Sequence, residues 1–337
     1  MSFKAIELRP ACEQPFVLEA LEIGLSSNCN FRCDYCCAYK LNDHKFLRGE
    51  SVNQILEDAP HLKRVKLSGG EVLIYFDECV KVIEYCQRRG ISTQVNTNGS
   101  LLNAEKIRIL EEAGLGCLHF SCNFCDSQAF CEYYKQRPEV YERIQDNLSL
   151  AAASNIDTVA ETVIFKSTEH TIVDVHRHLY KLGVRKHEIQ NGIPIAARDW
   201  SEVLPRERIE QVIEEIISNR LDEMTLYFSC VDIEPQSAFY SKVVNHIRRG
   251  GVHFPSCIEG RSQLHVHSNG DVLICELGHP EVIGNLNNGL RLATILQAPP
   301  EPLADFLDRK SKHECGCSIR TLVQLDWESL AGVANES

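Results

Sequence analysis

Between residues 21 and 193 the chain alternates six short apolar, β-branched runs with five stretches of helical periodicity. The runs fall at 21–26, 64–68, 93–97, 117–121, 159–165 and 187–193, with helical stretches at 53–57, 78–89, 104–113, 140–153 and 172–182. Gly90, Gly114 and Gly183 follow three of these stretches, where a left-handed cap is wanted. Parallel strands need crossovers of this length. The pattern therefore predicts an α/β fold, a partial (β/α)6 parallel TIM-like barrel, and directs attention to residues just past the C-terminal end of each strand.

The first such place holds Cys29, Cys33 and Cys36 within one short loop. Thiolates are soft ligands, and a spacing of three and then two residues lets one loop hold three corners of an iron–sulfur cubane. A fully ligated cluster wants a fourth thiolate, so three imply an iron open to a small molecule. The competing reading is a zinc site or buried thiols, although zinc motifs usually pair their cysteines across two segments. Cys37 follows Cys36 directly; adjacent side chains of an extended loop point apart, so it reads as a free thiol.

Composition narrows the classes. Sixteen cysteines in 337 residues, with no charged and apolar leader, read as metal ligands or reduced thiols rather than disulfides and suggest a cytoplasmic protein. There is no run of about 18 apolar residues, so no membrane span is expected. The formal charge of −12, with basic residues only in short pieces such as Arg88-Arg89 and Arg248-Arg249, argues against nucleic-acid binding.

Past the second strand, Gly69 and Gly70 let the backbone approach a ligand closely, and Glu71 offers an acceptor for an ammonium group. Past the third, Asn96-Thr97-Asn98-Gly99 is either an ordinary turn or a set of short side chains able to bond hydroxyls. Ser121 ends the fourth strand. Cys122, Cys125 and Cys131 read as reduced thiols lining the substrate side, with a further metal site as the alternative. Thr162, Arg198 and Asp199 stand where substrate contacts are expected, and Arg198 is the candidate for a substrate hydrogen bond.

The cysteine loop, with aromatic Tyr35 before its last cysteine, resembles that of the radical S-adenosylmethionine (SAM) superfamily. That resemblance implies a [4Fe-4S] cluster on Cys29, Cys33 and Cys36 whose open iron chelates SAM, which is reductively cleaved to a radical that abstracts a substrate hydrogen. It further implies that Gly69, Gly70 and Glu71 hold the SAM amino group, that Asn96 and Asn98 lie near its ribose, and that Ser121 adds a ribose or carboxylate contact. The residues after Ser121 depart from the family's usual pattern.

Organisation changes near residue 200. A core over 1–200, a connecting helical segment over 201–251 with a strand-like run at 225–229, and a module over 252–337 are expected. In the last, Cys257 is followed by twelve residues, Gly270, four residues and Cys275, with a hairpin signal around Ser268-Asn269-Gly270, and Cys315-Gly316-Cys317 comes later. This resembles the start of a SPASM module, shortened toward the twitch module of aminocyclitol radical SAM dehydrogenases, and implies a second, auxiliary [4Fe-4S] cluster, with zinc as the rival occupant. The histidines at 265, 267, 279 and 313 read as core or surface residues. The expectation is a radical SAM oxidoreductase that removes two electrons from a small polar substrate and draws on an external reductant such as flavodoxin or ferredoxin. The alternatives are a peptide maturase, with a peptide as substrate, and a non-catalytic iron–sulfur sensor.

Overall fold

The computed structural model describes residues 17–33, 36, 45–192, 202–229, 237–254, 262–275, 282–298 and 300–304. Its centre is a parallel run: β1 (Ala20–Ser26), β2 (Arg64–Gly69), β3 (Ser92–Thr97), β4 (Cys117–Ser121), β5 (Asp157–Ile164), β6 (Lys186–Asn191), β7 (Thr225–Ser229) and β8 (Val252–His253) lie side by side in sequence order. The crossovers are α1 (Gly49–Glu57), α2 (Phe76–Arg88), α3 (Ala104–Glu112), α4 (Ser127–Tyr134) with α5 (Pro138–Ala152), α6 (Ile172–Lys181), α7 (Arg206–Ser218) and α8 (Ala238–Arg249). On the other side of β1, β9 (Gln263–Val266) pairs parallel to it, and β10 (Asp271–Leu273) and β11 (Val282–Asn285) continue antiparallel, followed by α9 (Leu292–Gln297). Among the described residues the two edges of this eleven-stranded sheet, β8 and β11, do not meet.

The six expected strands are all present, within a residue or two at each described end, and the parallel run continues past them through β7 and β8. The hairpin expected around Gly270 forms between β9 and β10, with Gly270 at φ +84°.

Alternation along each strand divides the sheet into two chemically different faces. Leu21, Ile23, Leu25, Val65, Leu67, Val95, Leu118, Phe120 and Ala160 are buried against helix residues such as Val52, Leu56, Val82, Ile83, Ile107 and Leu110. A second cluster continues that layer, with Ile189, Leu226 and Phe228 against Val212, Ile213, Ile216 and Val243. The intervening positions form the inner face, and they are largely polar, with Glu22, Lys66, Gln94, Asn96, His119, Ser121, Glu161, Glu188 and Tyr227 beside the apolar Val159, Val163 and Leu273. Packed barrels fill their interior with branched apolar side chains. This sheet keeps most of its apolar residues on the helical side.

Candidate functional site

Three loops meet at the C-terminal ends of β1, β2 and β3, and hydrogen bonds lock them together. The backbone N–H groups of Gly70 and Glu71 donate to the carbonyls of Ser26 (2.7 Å) and Asn28 (2.8 Å), so the segment after β2 lies against the residues leading into Cys29. The two glycines are required by this contact. A Cβ on Gly69, which has φ +127°, would stand 2.3 Å from the Ser26 carbonyl oxygen, and one on Gly70 would stand 2.1 Å from that of Asn28.

Glu71 is 1% exposed. Its carboxylate accepts from the Leu73 N–H (3.1 Å), the Thr97 hydroxyl (2.7 Å) and the Asn98 N–H (2.8 Å). Burial pushes its pKa up, and these three donors pull against that rise. It thus ties the loop after β2 to the loop after β3.

From there the ties run on to the cysteine loop. The Asn98 amide donates to Asn30 Oδ1 (2.9 Å), the Asn30 amide donates to the Ser100 hydroxyl (2.8 Å), and the Ser100 N–H and hydroxyl both donate to Asn98 Oδ1 (2.9 and 2.6 Å). Below, the buried Asn147 of α5 donates to the carbonyls of Gly99 (3.0 Å) and Leu102 (2.9 Å).

Cys29 and Cys33 pack half-buried against an aromatic cluster of Phe31, Phe124, Phe130, Tyr134 and Tyr141. Phe31 lies edge-on to Phe130, with ring centroids 6.1 Å apart. The Cys36 N–H donates to the Cys33 carbonyl (3.0 Å), turning the loop back on itself. Burial, with Glu71 and Cys36 nearby, pushes the Cys29 thiol up to about 11. The protein alone therefore does not hold this sulfur as thiolate, whereas a metal cation would. Three soft donors on one turned loop, walled by aromatics and beside backbone that tolerates no Cβ, fit a cluster with a ligand next to it.

Asn96 and Ser121 stand on the inner face, with Asn96 in register with His119 and Ser121 with Glu161. The Asn96 Oδ1 accepts from Gln94 Nε2 (2.8 Å). Tyr35, Arg198, Asp199, Cys257, Cys315 and Cys317 lie outside the described residues. Cys275 is buried at the end of β10, in the core.

Two expectations need correction. Thr162 is fully buried on the helical side of β5, where its hydroxyl donates to the Cys122 carbonyl (2.5 Å) and contacts His187 Nε2 (2.8 Å), because even-numbered residues of that strand point to the helices. The thiols after β4 do not line a substrate face together: Cys122 is buried in the helical-side core and Cys131 packs against the aromatic cluster under the cysteine loop. Sequence reasoning also missed Asn30, Ser100, Asn147 and the inner row of Lys66, His119, Glu161 and Glu188. The row was legible as a polar residue at every second position of successive strands.

A parallel half-barrel with three thiols in one loop at its C-terminal rim defines a scaffold for an iron–sulfur cluster and a small ligand. Residues 23–179, just under half of the chain, match the model of the radical SAM superfamily, a fold that implies a [4Fe-4S] cluster and SAM. It is 24% identical to the putative protein YfkA of Bacillus subtilis (strain 168) over 296 residues, 80% of this chain and 78% of that one. Among solved structures, Streptococcus suis SuiB bound to its precursor peptide SuiA aligns with a TM-score of 0.69 at 16% identity, covering 90% of this chain and 70% of SuiB. Native anSMEcpe with bound AdoMet aligns at 0.66 and 14% identity, covering 94% and 99%. At these identities the structural likeness establishes the fold. No described helix is long and apolar enough to cross a membrane.

Proposed function

We propose that this protein is a SAM-cleaving oxidoreductase that removes a hydrogen, and overall two electrons, from a small polar substrate. The observation that carries the reading is the interlock of Cys29-to-Cys36, Gly69-Gly70-Glu71 and Asn96-to-Ser100 at one end of the sheet. A cluster held by Cys29, Cys33 and Cys36 together with SAM would supply reductive cleavage and a radical for hydrogen abstraction. Gly69 and Gly70 would set the wall for SAM, and Glu71, buried and already accepting from Leu73, Thr97 and Asn98, would fix that wall beside its amino end. Asn98, oriented by Asn30 and Ser100, stands with Asn96 for the ribose, and Ser121 at the rim of β4 adds a hydroxyl. An external reductant of the flavodoxin or ferredoxin type supplies the electron.

Hydrogen loss from a carbon bearing oxygen or nitrogen leaves a further electron and proton to remove. An auxiliary cluster on Cys257, Cys275, Cys315 and Cys317 is proposed as the electron acceptor. The polar inner face supports a hydrophilic substrate, since an apolar one would leave Glu161, Glu188 and Lys66 desolvated without new partners.

The test offers the reconstituted, reduced protein small-metabolite and peptide fractions of its host separately and measures 5′-deoxyadenosine. The reading expects stimulation by the small-metabolite fraction and a product two mass units lighter than its precursor. Stimulation by the peptide fraction alone contradicts it and assigns a peptide maturase instead.

A further inference from the structure

Below the three loops, the inner face carries a layer of ionisable residues on six strands that runs oblique to the strand register: Lys66 is level with Gln94 and Cys117, whereas Glu161 is level with Ser121, four residues further along β4. His265 of β9 pairs with Glu22 of β1, Glu22 with Lys66 of β2, Glu161 of β5 with Glu188 of β6, and His119 of β4 stands two residues below Ser121. Lys66 Nζ lies 3.0 Å from Glu22, whose same oxygen is 3.7 Å from His265 Nδ1. The His119 ring lies between two carboxylates: Nε2 is 3.0 Å from Glu188 and Nδ1 is 3.5 Å from Glu161. A nitrogen of His119 and one oxygen from each glutamate all lie within 4.8 Å of one another.

The layer is unevenly balanced and unevenly covered. Among the described residues, three carboxylates face Lys66 and two imidazoles, His119 and His265, each of which is a cation only when protonated. One imidazole is shared by two glutamates. The His119 side chain is 6% exposed, while Glu161 and Glu188 keep 19% and 25% of theirs open toward the inner face. Burial raises the Glu161 pKa, and the charges of Glu188 and Glu22 raise it further against the pull of His119 and Lys66. The His119 hydrogen bond pulls the Glu188 pKa down against its burial, so among the described residues Glu161 is the carboxylate left without a full positive partner. One layer below, Lys186 and Asp157 pair at 2.7 Å. The shortfall is therefore confined to the layer nearest the loops.

We propose that this layer is the substrate-recognition floor, and that Glu161 and Glu188, held apart by His119, take a cationic nitrogen of the substrate, an ammonium or amidinium group bridging both carboxylates. Asn96 and Gln94 beside them offer hydrogen bonds to neighbouring hydroxyl or carbonyl groups. This rests on the reading that the inner face below the loops receives the substrate. It names the substrate's class: a polar molecule carrying a protonated nitrogen, seated by that nitrogen so that a carbon nearby faces the loops.

The experiment uses iron-loaded, SAM-bound protein under anaerobic calorimetry, with glucosamine against glucose and 1,5-diaminopentane against 1,5-pentanediol as probes. The expected result is binding at least about tenfold tighter for each amine than for its hydroxyl partner, with the difference lost in E161Q and E188Q. The wild-type comparison stands even if those variants do not fold. Equal affinity for amine and hydroxyl probes overturns the proposal, as does tight Mn2+ binding that E161Q abolishes, which makes the cluster a metal site. Formation of 5′-deoxyadenosine by the wild-type protein is scored separately. If it is absent while the amines still discriminate, the catalytic reading fails and this subsite survives; if it is present without discrimination, the subsite fails alone.

Discussion

The backbone N–H of Asn98 donates to the Glu71 carboxylate across 2.8 Å, joining the loop after the third strand to the loop after the second. The same carboxylate accepts from Leu73 and Thr97, so its removal orphans three buried donors at once. Each such donor costs about 1–3 kcal/mol when left unpaired. We predict that E71A loses about 3 kcal/mol of stability and weakens SAM binding more than E71Q, which keeps one acceptor. Urea unfolding and SAM titration of the two variants check this.

Gly99 turns the Asn-Thr-Asn-Gly loop at φ +75°, and a Cβ there would stand 2.7 Å from the Phe120 ring. The left-handed backbone alone costs an L-residue about 1–2 kcal/mol. G99A is therefore expected to lower stability by about 2 kcal/mol or more. N147A, which frees the carbonyls of Gly99 and Leu102, should loosen the same turn and reduce SAM affinity while leaving iron content unchanged. Iron loss in N147A contradicts this division of labour.

Two buried histidines give the fold a pH dependence. His176 and His187 face each other through Nδ1 atoms 3.1 Å apart, His187 Nε2 contacts Thr162, and the Leu221 N–H donates to His176 Nε2. One ring donates to the other, so both are neutral. Burial, with Arg220 and Arg177 nearby, lowers His176 to about 4, and burial with His176 lowers His187 well below its usual value. A histidine lowered on folding binds its proton more readily when unfolded. Its stabilisation is therefore full above about pH 6.5 and is lost as the pH falls toward 4. The urea midpoint should drop steeply across that window, and the double substitution H176Q/H187Q should flatten the drop. An equal slope in both proteins contradicts the assignment.

Metal content tests the two-cluster account without a substrate. Replacing Cys29, Cys33 and Cys36 together with Ala and reconstituting anaerobically should leave roughly half the iron, held by the auxiliary cysteines. A variant that takes up zinc and no iron refutes the second cluster.

Much of this architecture was legible because period-2 apolar runs separated by helix-length stretches leave few solutions other than a parallel sheet with helices on one side. Boundaries slipped where the signal was weak. The first helix begins at Gly49 rather than near 53, since the polar Glu50 and Ser51 hide its start. The helix Ser127–Tyr134 escaped notice, although Asp126 caps it by accepting from the Ala129 N–H and Phe130 and Tyr134 share a face one turn apart. Gly69-Gly70-Glu71 was visible as a motif, but its physical basis was not. The glycines answer to the Ser26 and Asn28 carbonyls, which no local spacing reveals. Thr162 was misplaced because its place on the fifth strand was read without its parity, and parity decides which face a strand residue occupies.

The central claim is that the interlocked loops hold a cluster that cleaves SAM. Its most direct test is 5′-deoxyadenosine formation by the iron-loaded, chemically reduced protein, compared with the C29A/C33A/C36A variant. The account predicts product from the wild-type chain and none from the variant. An iron-loaded wild-type protein that binds SAM, accepts an electron and still makes no 5′-deoxyadenosine would contradict it and favour a non-catalytic iron–sulfur sensor.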